Sequence, residues 1–95
     1  MSYYVYILAS KRNGTIYTGV TNSLAKRVYE HKTKAVSGFT KKYDVKNLVY
    51  FEEYESLIQA REREGRIKKW KRDWKIELIE KNNNDWEDLY ERINV

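Results

Sequence analysis

Two short runs of aromatic and β-branched residues near the start of the chain predict a pair of β-strands. Residues 3–9 and 15–21 are rich in Tyr, Val, Ile and Thr, and these side chains suit a pleated surface. Asn13-Gly14 stands between the two runs and favours a two-residue turn, because both residues tolerate a positive φ. The pattern therefore predicts an antiparallel hairpin.

The turn decides which side chains of this hairpin share a face. A tight turn pairs Arg12 with Thr15. The residues then predicted to share one face are Tyr4, Tyr6, Leu8, Tyr17 and Gly19. Whether the hydroxyls of Tyr6 and Tyr17 converge depends on the register, which the sequence leaves open. Gly19 weakens a strand interior, so it indicates a close backbone approach or a bulge.

Helical spacing of apolar residues begins directly after the hairpin. Asn22 or Ser23 can cap a helix that runs to about Ala35. One stripe of this helix consists of Leu24, Val28, His31 and Ala35. A lysine-containing loop is predicted over residues 32–46, and residues 47–54 have the composition of a third strand.

Three further helices follow the third strand. Ser56 can cap a helix through about Lys69, and Asp73 can start another through Glu80. Trp86, Leu89, Tyr90 and Ile93 have the spacing of a last short helix. The predicted order is ββαβααα, an α+β fold in which a small three-stranded antiparallel sheet is flanked by helices.

Length and composition set the broad class of the protein. Its 95 residues suit one domain over residues 1–95. The sequence has no cysteine, which excludes disulfides and thiolate metal sites. The longest apolar run, residues 3–9, is too short to span a bilayer. We therefore expect a soluble, cytoplasmic protein with no membrane partner.

The positive charge is concentrated in the N-terminal half of the chain. Residues 1–50 contain nine lysines and arginines against two acidic residues, whereas residues 51–95 contain ten against twelve. A second basic run, residues 66–72, interleaves cations with Trp70. Basic patches of this kind favour a polyanionic partner, most often nucleic acid. The alternative is a solvated surface with a mild excess of lysine.

Arg27 and His31 lie four residues apart on the first predicted helix. An arginine fork is suited to a phosphate, and an imidazole is the side chain that most readily carries a proton near neutral pH. A lone histidine on a partly apolar helix is more often structural, and Arg27 has an alternative partner in Glu30. Both interpretations stay open at this point.

Glu64 interrupts an apolar stripe on the second predicted helix, where it shares a face with Ala60 and Ile67. A carboxylate aimed toward a core is costly unless it is paired or binds a metal. Lys68, one turn later, offers an ordinary ion pair, and periodicity alone slightly favours that explanation. Tyr6 and Tyr17 likewise have an ordinary explanation as strand aromatics, and Trp70 and Trp74 as packing residues.

Taken together, these residues resemble the GIY-YIG nuclease superfamily, and in layout its small stand-alone members. The first motif stands as Tyr4-Val5-Tyr6, with tyrosine in place of the glycine, and the second as Tyr17-Thr18-Gly19, with threonine in place of isoleucine. The remaining matches are Arg27, His31, Glu64 and Asn83. Val20 follows the second motif where a DNA-repair branch of the family has a lysine.

The resemblance implies metal-assisted hydrolysis of a phosphodiester. Glu64 would hold one divalent cation, Mg²⁺ or Mn²⁺, and Tyr6 or Tyr17 would act as the general base. Arg27 would stabilise the charge on phosphorus, His31 would orient groups or relay a proton, and Asn83 would support the site geometry.

The leading hypothesis is therefore a DNA endonuclease, structure-selective and linked to repair or recombination. DNA is favoured over RNA as the substrate, and a protein partner would assist targeting. The alternatives are a non-catalytic nucleic-acid-binding module with the same fold and a protein-interaction domain. The residues predicted to contact nucleic acid are Lys11, Arg12, Lys26, Lys32, Lys34, Lys41, Lys42, Lys68 and Lys69.

Overall fold

A computed structural model of the protein describes residues 1–36 and 38–93. The elements are β1 (Tyr3–Ala9), β2 (Ile16–Thr21), α1 (Leu24–Lys32), α2 (Phe39–Lys42), β3 (Asn47–Tyr54), α3 (Leu57–Lys69), α4 (Arg72–Asn82) and α5 (Tyr90–Ile93). The three strands form one antiparallel sheet in the order β2-β1-β3. The predicted α+β class is confirmed. The predicted loop over residues 32–46 contains the additional short helix α2, and its residue 37 lies outside the described residues.

The hairpin register differs from the prediction by two residues. The predicted pairing of Arg12 with Thr15 is wrong, because the Ser10 amide donates to the Thr15 carbonyl at 3.0 Å and leaves a four-residue loop over 11–14. The type I′ two-residue turn that Asn-Gly favours needs a positive φ at both central positions, and of Asn13 and Gly14 only Asn13, at 58°, has one. A shift of two residues preserves the faces, so Tyr6 lies opposite Gly19 on the predicted face.

The sheet packs on both faces. On the face covered by α3 and α4, the buried residues are Val5, Ile7, Ala9, Val49, Ala60, Ile67, Ile79 and Trp86. On the face covered by α1, they are Tyr6, Leu8, Leu24, Val28, Val45 and Leu48. β2 is an edge strand of this sheet.

Helix α1 ends earlier than predicted. It stops at Lys32 instead of Ala35 because Lys34 takes a left-handed φ of 59°. The Ala35 amide donates to the Glu30 carbonyl at 2.9 Å, and the Lys34 amide donates to the His31 carbonyl at 3.2 Å. This pair of bonds is the Schellman arrangement that closes helix C-termini.

The last helix is shorter than predicted because the residues before it bond to β3. Helix α5 begins at Tyr90 instead of Trp86, which has a left-handed φ of 57°. The Leu89 amide donates to the Leu48 carbonyl at 2.7 Å, and Asp88 Oδ1 accepts from the Leu48 amide at 3.1 Å. These bonds replace the first turn of the predicted helix. Within the described residues, every helix is too short or too polar to traverse a bilayer.

Candidate active site

A cleft runs along β2, between α1 on one face of the sheet and α3 on the other. Its lining consists of Tyr3, Tyr6, Tyr17, Val20, Thr21, Asn22, Arg27, Leu57, Arg61 and Glu64. The sequence-predicted residues Tyr6, Tyr17, Arg27 and Glu64 are thus brought together, although they come from four different elements. His31 lies behind the cleft wall, against both tyrosine rings.

Gly19 lets the Tyr6 side chain reach this cleft. A Cβ atom on Gly19 would lie 2.6 Å from the Tyr6 hydroxyl oxygen and 2.7 Å from its Cζ atom, so the phenol passes directly over the bare backbone of β2. The Tyr6 and Tyr17 ring centroids are 6.3 Å apart. The close approach predicted at Gly19 is present, and the register brings the two tyrosines together.

We expect Gly19→Ala to destabilise the fold and to displace the Tyr6 hydroxyl. Tyr6 is only 1% exposed, so its ring has no free space into which to move, and overpacking of this kind costs about 1–3 kcal/mol. Urea unfolding measures the loss. Gly65→Ala is the matched control, because nothing lies within 4 Å of its added Cβ. Helix α3 should gain about 0.5–1 kcal/mol from that change, and a gain from both changes would contradict the tight contact at Gly19.

A chain of hydrogen-bonding groups leads from Tyr6 into the core. The Tyr6 hydroxyl lies 3.3 Å from His31 Nε2, and His31 Nδ1 lies 2.9 Å from Thr40 Oγ1. A neutral imidazole has one donor and one acceptor nitrogen, so Nδ1–H donating to Thr40 leaves Nε2 free to accept from Tyr6. Burial lowers the pKa of His31, and the nearby positive charge of Arg27 lowers it further.

His31 should make the fold less stable in mild acid. Because its pKa is lowered in the native state, the unfolded chain takes up the proton first as the pH falls below 6.5. The free energy of unfolding should therefore decrease from that pH downwards, until the folded-state pKa is reached. Urea unfolding between neutral pH and mild acid, compared with His31→Gln, isolates this contribution. Parallel curves for the two proteins would contradict it.

The hydroxyl of Tyr6 is held in its protonated form. Burial raises the pKa of Tyr6 to about 12, and the neighbouring Tyr17 acts in the same direction. The Arg27 guanidinium beside Tyr6 opposes this increase in pKa without cancelling it. Arg27 also forms an ion pair with Glu30 at 3.3 Å. A free Tyr6 phenolate is therefore disfavoured, and its hydroxyl has to pass a proton on if it is to accept one.

Glu64 is the carboxylate of the cleft. Its side chain is 22% exposed and pairs with Lys68 at 3.0 Å, one turn further along α3. The ion pair considered from the sequence is therefore present, and the carboxylate also faces the cleft. Arg61, one turn earlier on the same helix, lines the cleft too. Its i, i+3 spacing from Glu64 is the signal that would have found it.

The donor set suits a hard cation held by one carboxylate. Within residues 1–36 and 38–93, no three His, Cys, Asp or Glu side chains are close enough to enclose a metal ion. Mg²⁺ is commonly held by one or two carboxylates, with waters and substrate phosphate oxygens completing its coordination. Glu64 fits that role, because the flexible Lys68 ammonium is a partner that a divalent cation can replace.

Asn83 is not part of the cleft. It is buried at the end of α4, where its amide nitrogen donates to the carbonyls of Val49 and Glu87 at 3.0 and 2.8 Å. Its amide oxygen accepts from the Glu87 amide at 2.9 Å. These bonds fix the turn after α4 against β3, and the supporting role predicted for Asn83 stays a prediction.

The predicted nucleic-acid contacts are spread over the surface. Lys26 borders the cleft beside Arg27, and Lys41 and Lys42 lie on α2. Four of the nine have acidic partners: Arg12 with Asp85, Lys32 with Asp88, Lys34 with Asp44, and Lys68 with Glu64. Lys32 also lies over the Tyr90 ring. Any attraction of nucleic acid to the cleft therefore depends mainly on the basic residues nearest to it, Lys26, Arg27 and Arg61.

Sequence reasoning missed the contribution of α2. Its Thr40 is buried against His31, and its Phe39 ring stacks near Tyr17. The sequence feature that could have indicated this helix is the i, i+4 spacing of Phe39 and Tyr43 directly after Gly38, in a stretch otherwise dominated by lysines and polar residues.

Comparisons with known proteins give the family and agree with the fold. A family model described as the GIY-YIG catalytic domain matches residues 2–77. The UPF0213 protein CPE1444 of Clostridium perfringens is 38% identical over 92 residues, which cover 97% of this chain and 98% of that protein. A UPF0213 protein of Syntrophus aciditrophicus is 40% identical over 80 residues, covering 83% of this chain and 91% of that protein. The solution NMR structure of the UPF0213 protein BH0048 from Bacillus halodurans superimposes with a TM-score of 0.57 at 27% identity, over 93% of each chain.

Proposed function

This chain belongs to the GIY-YIG family, among its small UPF0213 proteins, and from that premise we propose that it is a metal-dependent endonuclease that hydrolyses phosphodiester bonds in DNA. Family membership supports a domain of the nuclease type with a nucleic-acid substrate. The single observation that carries the proposal is the convergence of Tyr6, Tyr17, Arg27 and Glu64 on one cleft.

Tyr6 and His31 can remove a proton from the attacking water without forming a free phenolate. As the water oxygen bonds to phosphorus, Tyr6 accepts the water proton and passes its own hydroxyl proton to His31 Nε2, 3.3 Å away. The lowered pKa of His31 keeps its imidazole neutral and able to accept near neutral pH. The bond between phosphorus and the leaving oxygen breaks, and that oxygen takes a proton from solvent. Hydrogen bonds in an unliganded active site are often long and shorten in the reactive complex.

The charges around the cleft suit the charge that develops during this reaction. The Arg27 guanidinium offers a planar fork of donors to the phosphate oxygens. Arg61 adds a second cation on the opposite wall. Glu64 would hold a divalent cation, Mg²⁺ or Mn²⁺, whose chemical contribution is to stabilise charge on the phosphoryl and leaving oxygens.

A cleavage assay with purified protein tests the proposal. Plasmid, flapped and branched DNA are incubated with Mg²⁺ or Mn²⁺, with EDTA and Glu64→Gln as the negative controls. Metal-dependent cutting that Glu64→Gln removes is the expected result. Preferential cutting of the flapped or branched substrates would further support structure-selective action in repair or recombination, with a protein partner for targeting.

A non-catalytic nucleic-acid-binding module is the second candidate. It is favoured by the two ion pairs of the cleft, Arg27 with Glu30 and Glu64 with Lys68, which satisfy both functional charges without substrate or metal. The absence of cutting on every substrate, combined with binding that weakens as salt rises, would identify this module, because phosphate contacts release counterions. Binding that is absent or insensitive to salt would instead identify a protein-interaction domain.

A further inference from the structure

A row of aromatic rings leads out of the cleft onto α2. The Tyr17 ring, in the cleft wall, lies 6.5 Å from the Phe39 ring at an interplanar angle of 30°. The Phe39 and Tyr43 rings are 4.9 Å apart at 50°. Phe39 is 47% exposed and Tyr43 is 46% exposed, so nearly half of the surface of each of these two large residues is accessible to solvent directly beside the site. Neither Phe39 nor Tyr43 is among the residues of the two core clusters described above.

Helix α2 holds these rings in place. Thr40, between them in sequence, is buried and bonded to His31 Nδ1 at 2.9 Å. The Val45 amide donates to the Thr40 carbonyl at 2.9 Å, which fixes the chain after the helix. Anchoring on the inner side leaves Phe39 and Tyr43, at i and i+4, on the outer side. Their orientation is thus tied to the same histidine that contacts Tyr6.

The charges on α2 indicate which kind of ligand would bind to the exposed rings. Lys41 and Lys42 are exposed on the same helix, and Lys42 Nζ lies 5.4 Å from the centre of the Tyr43 ring. Exposed aromatic faces alternating with lysines suit a ligand that has flat aromatic groups joined by negative charges. Unpaired nucleotides have this chemistry, with bases that stack on the rings and phosphates that meet the cations.

We propose that Phe39 and Tyr43 form a stacking platform for unpaired bases of a DNA strand that continues out of the cleft. The platform deepens the proposed nuclease function and rests on it for the identity of the strand in the cleft. The bases of an intact duplex are already stacked on each other, so the platform selects substrates with single-stranded nucleotides next to the scissile phosphate. Flaps and forks have this feature, and continuous duplex lacks it.

Binding without metal tests the platform independently of cutting. Fluorescence anisotropy in EDTA measures the affinity for fluorescein-labelled oligothymidylate and for a blunt-ended, two-stranded duplex with the same number of phosphates. Phe39→Ala and Tyr43→Ala should each weaken oligothymidylate binding about tenfold, the scale of one lost base–aromatic stack. Affinity for the duplex should change by less than about twofold, because no charge has been removed.

Trp74→Ala is the matched control, since Trp74 is also an exposed aromatic, at 55%, but lies on α4 away from the cleft lining. It should leave oligothymidylate binding unchanged. Phe39→Leu keeps apolar bulk for packing and should lose binding as Phe39→Ala does, whereas Phe39→Trp should retain it. This pair separates stacking from a folding defect.

Three results would overturn the platform: unchanged oligothymidylate binding in Phe39→Ala and Tyr43→Ala, an equal loss in Trp74→Ala, or an equal loss on duplex. The proposed nuclease function fails by a different result, the absence of metal-dependent cutting by the unmodified protein. Selective loss of oligothymidylate binding in Phe39→Ala and Tyr43→Ala supports the platform whether or not cutting is observed.

Discussion

Glu64→Gln is expected to reduce metal-dependent DNA cleavage about a thousandfold, because the loss of several kcal/mol of charge stabilisation corresponds to a factor of this size. Glutamine has nearly the same shape as glutamate but no charge, so it is a poor ligand for a hard cation. The ion pair with Lys68 at 3.0 Å is lost as well. A half-exposed pair of this kind contributes little to folding, so the variant should remain folded while losing activity.

Glu62→Gln provides the matched control on the same helix. Glu62 pairs with Arg66 at 3.8 Å in the same i, i+4 arrangement as Glu64 with Lys68, but both side chains of this pair are largely exposed and Glu62 does not line the cleft. Cleavage by this variant should be unchanged. Titration calorimetry with Mn²⁺ adds a readout that does not depend on turnover: binding by the unmodified protein and by Glu62→Gln, and its loss in Glu64→Gln, is expected. Equal activity in all three proteins would exclude Glu64 as the metal ligand.

The sequence predicted the strands well because their signals are local. The third strand was predicted over the range that the structure has, Asn47–Tyr54, and the alternating faces of the hairpin were also predicted. The distance between Tyr6 and Tyr17 was not, since it depends on a turn whose conformation Asn13-Gly14 does not determine alone. A shift of two residues keeps each side chain on its face but moves its partner along the strand.

The part of the site that sequence could not predict comes from contacts between distant segments. Asn83 has the residue type and the position of a late site residue, but its amide is used by Val49 and Glu87. Trp86 has helical spacing, but the chain beside it bonds to Leu48 of β3 instead. In both cases a hydrogen bond to a backbone group of β3 replaces the arrangement that the local sequence pattern predicts. Periodicity describes one segment and contains no information on such competition.

Removal of the Tyr6 hydroxyl should identify the general base. Tyr6→Phe keeps the ring that fills the space over Gly19 but removes the group that bonds to His31 at 3.3 Å. General acid–base catalysis contributes about 10²- to 10⁴-fold, and we expect kcat to fall within that range. The lost hydrogen bond should cost about 1 kcal/mol of unfolding free energy, which urea unfolding can measure separately.

Tyr17→Phe is the matched control for Tyr6→Phe. Tyr17 lies in the same cleft, and its ring centroid is 5.6 Å from that of His31, but the hydrogen bond to Nε2 belongs to Tyr6. We therefore expect a smaller loss of kcat for Tyr17→Phe. The pH profile separates the two further: cleavage by the unmodified protein should decline in acid as His31 becomes protonated, and Tyr6→Phe should lose that decline whereas Tyr17→Phe keeps it. The reverse ranking would assign the base to Tyr17 and would leave His31 as a residue that only supports α2 through Thr40.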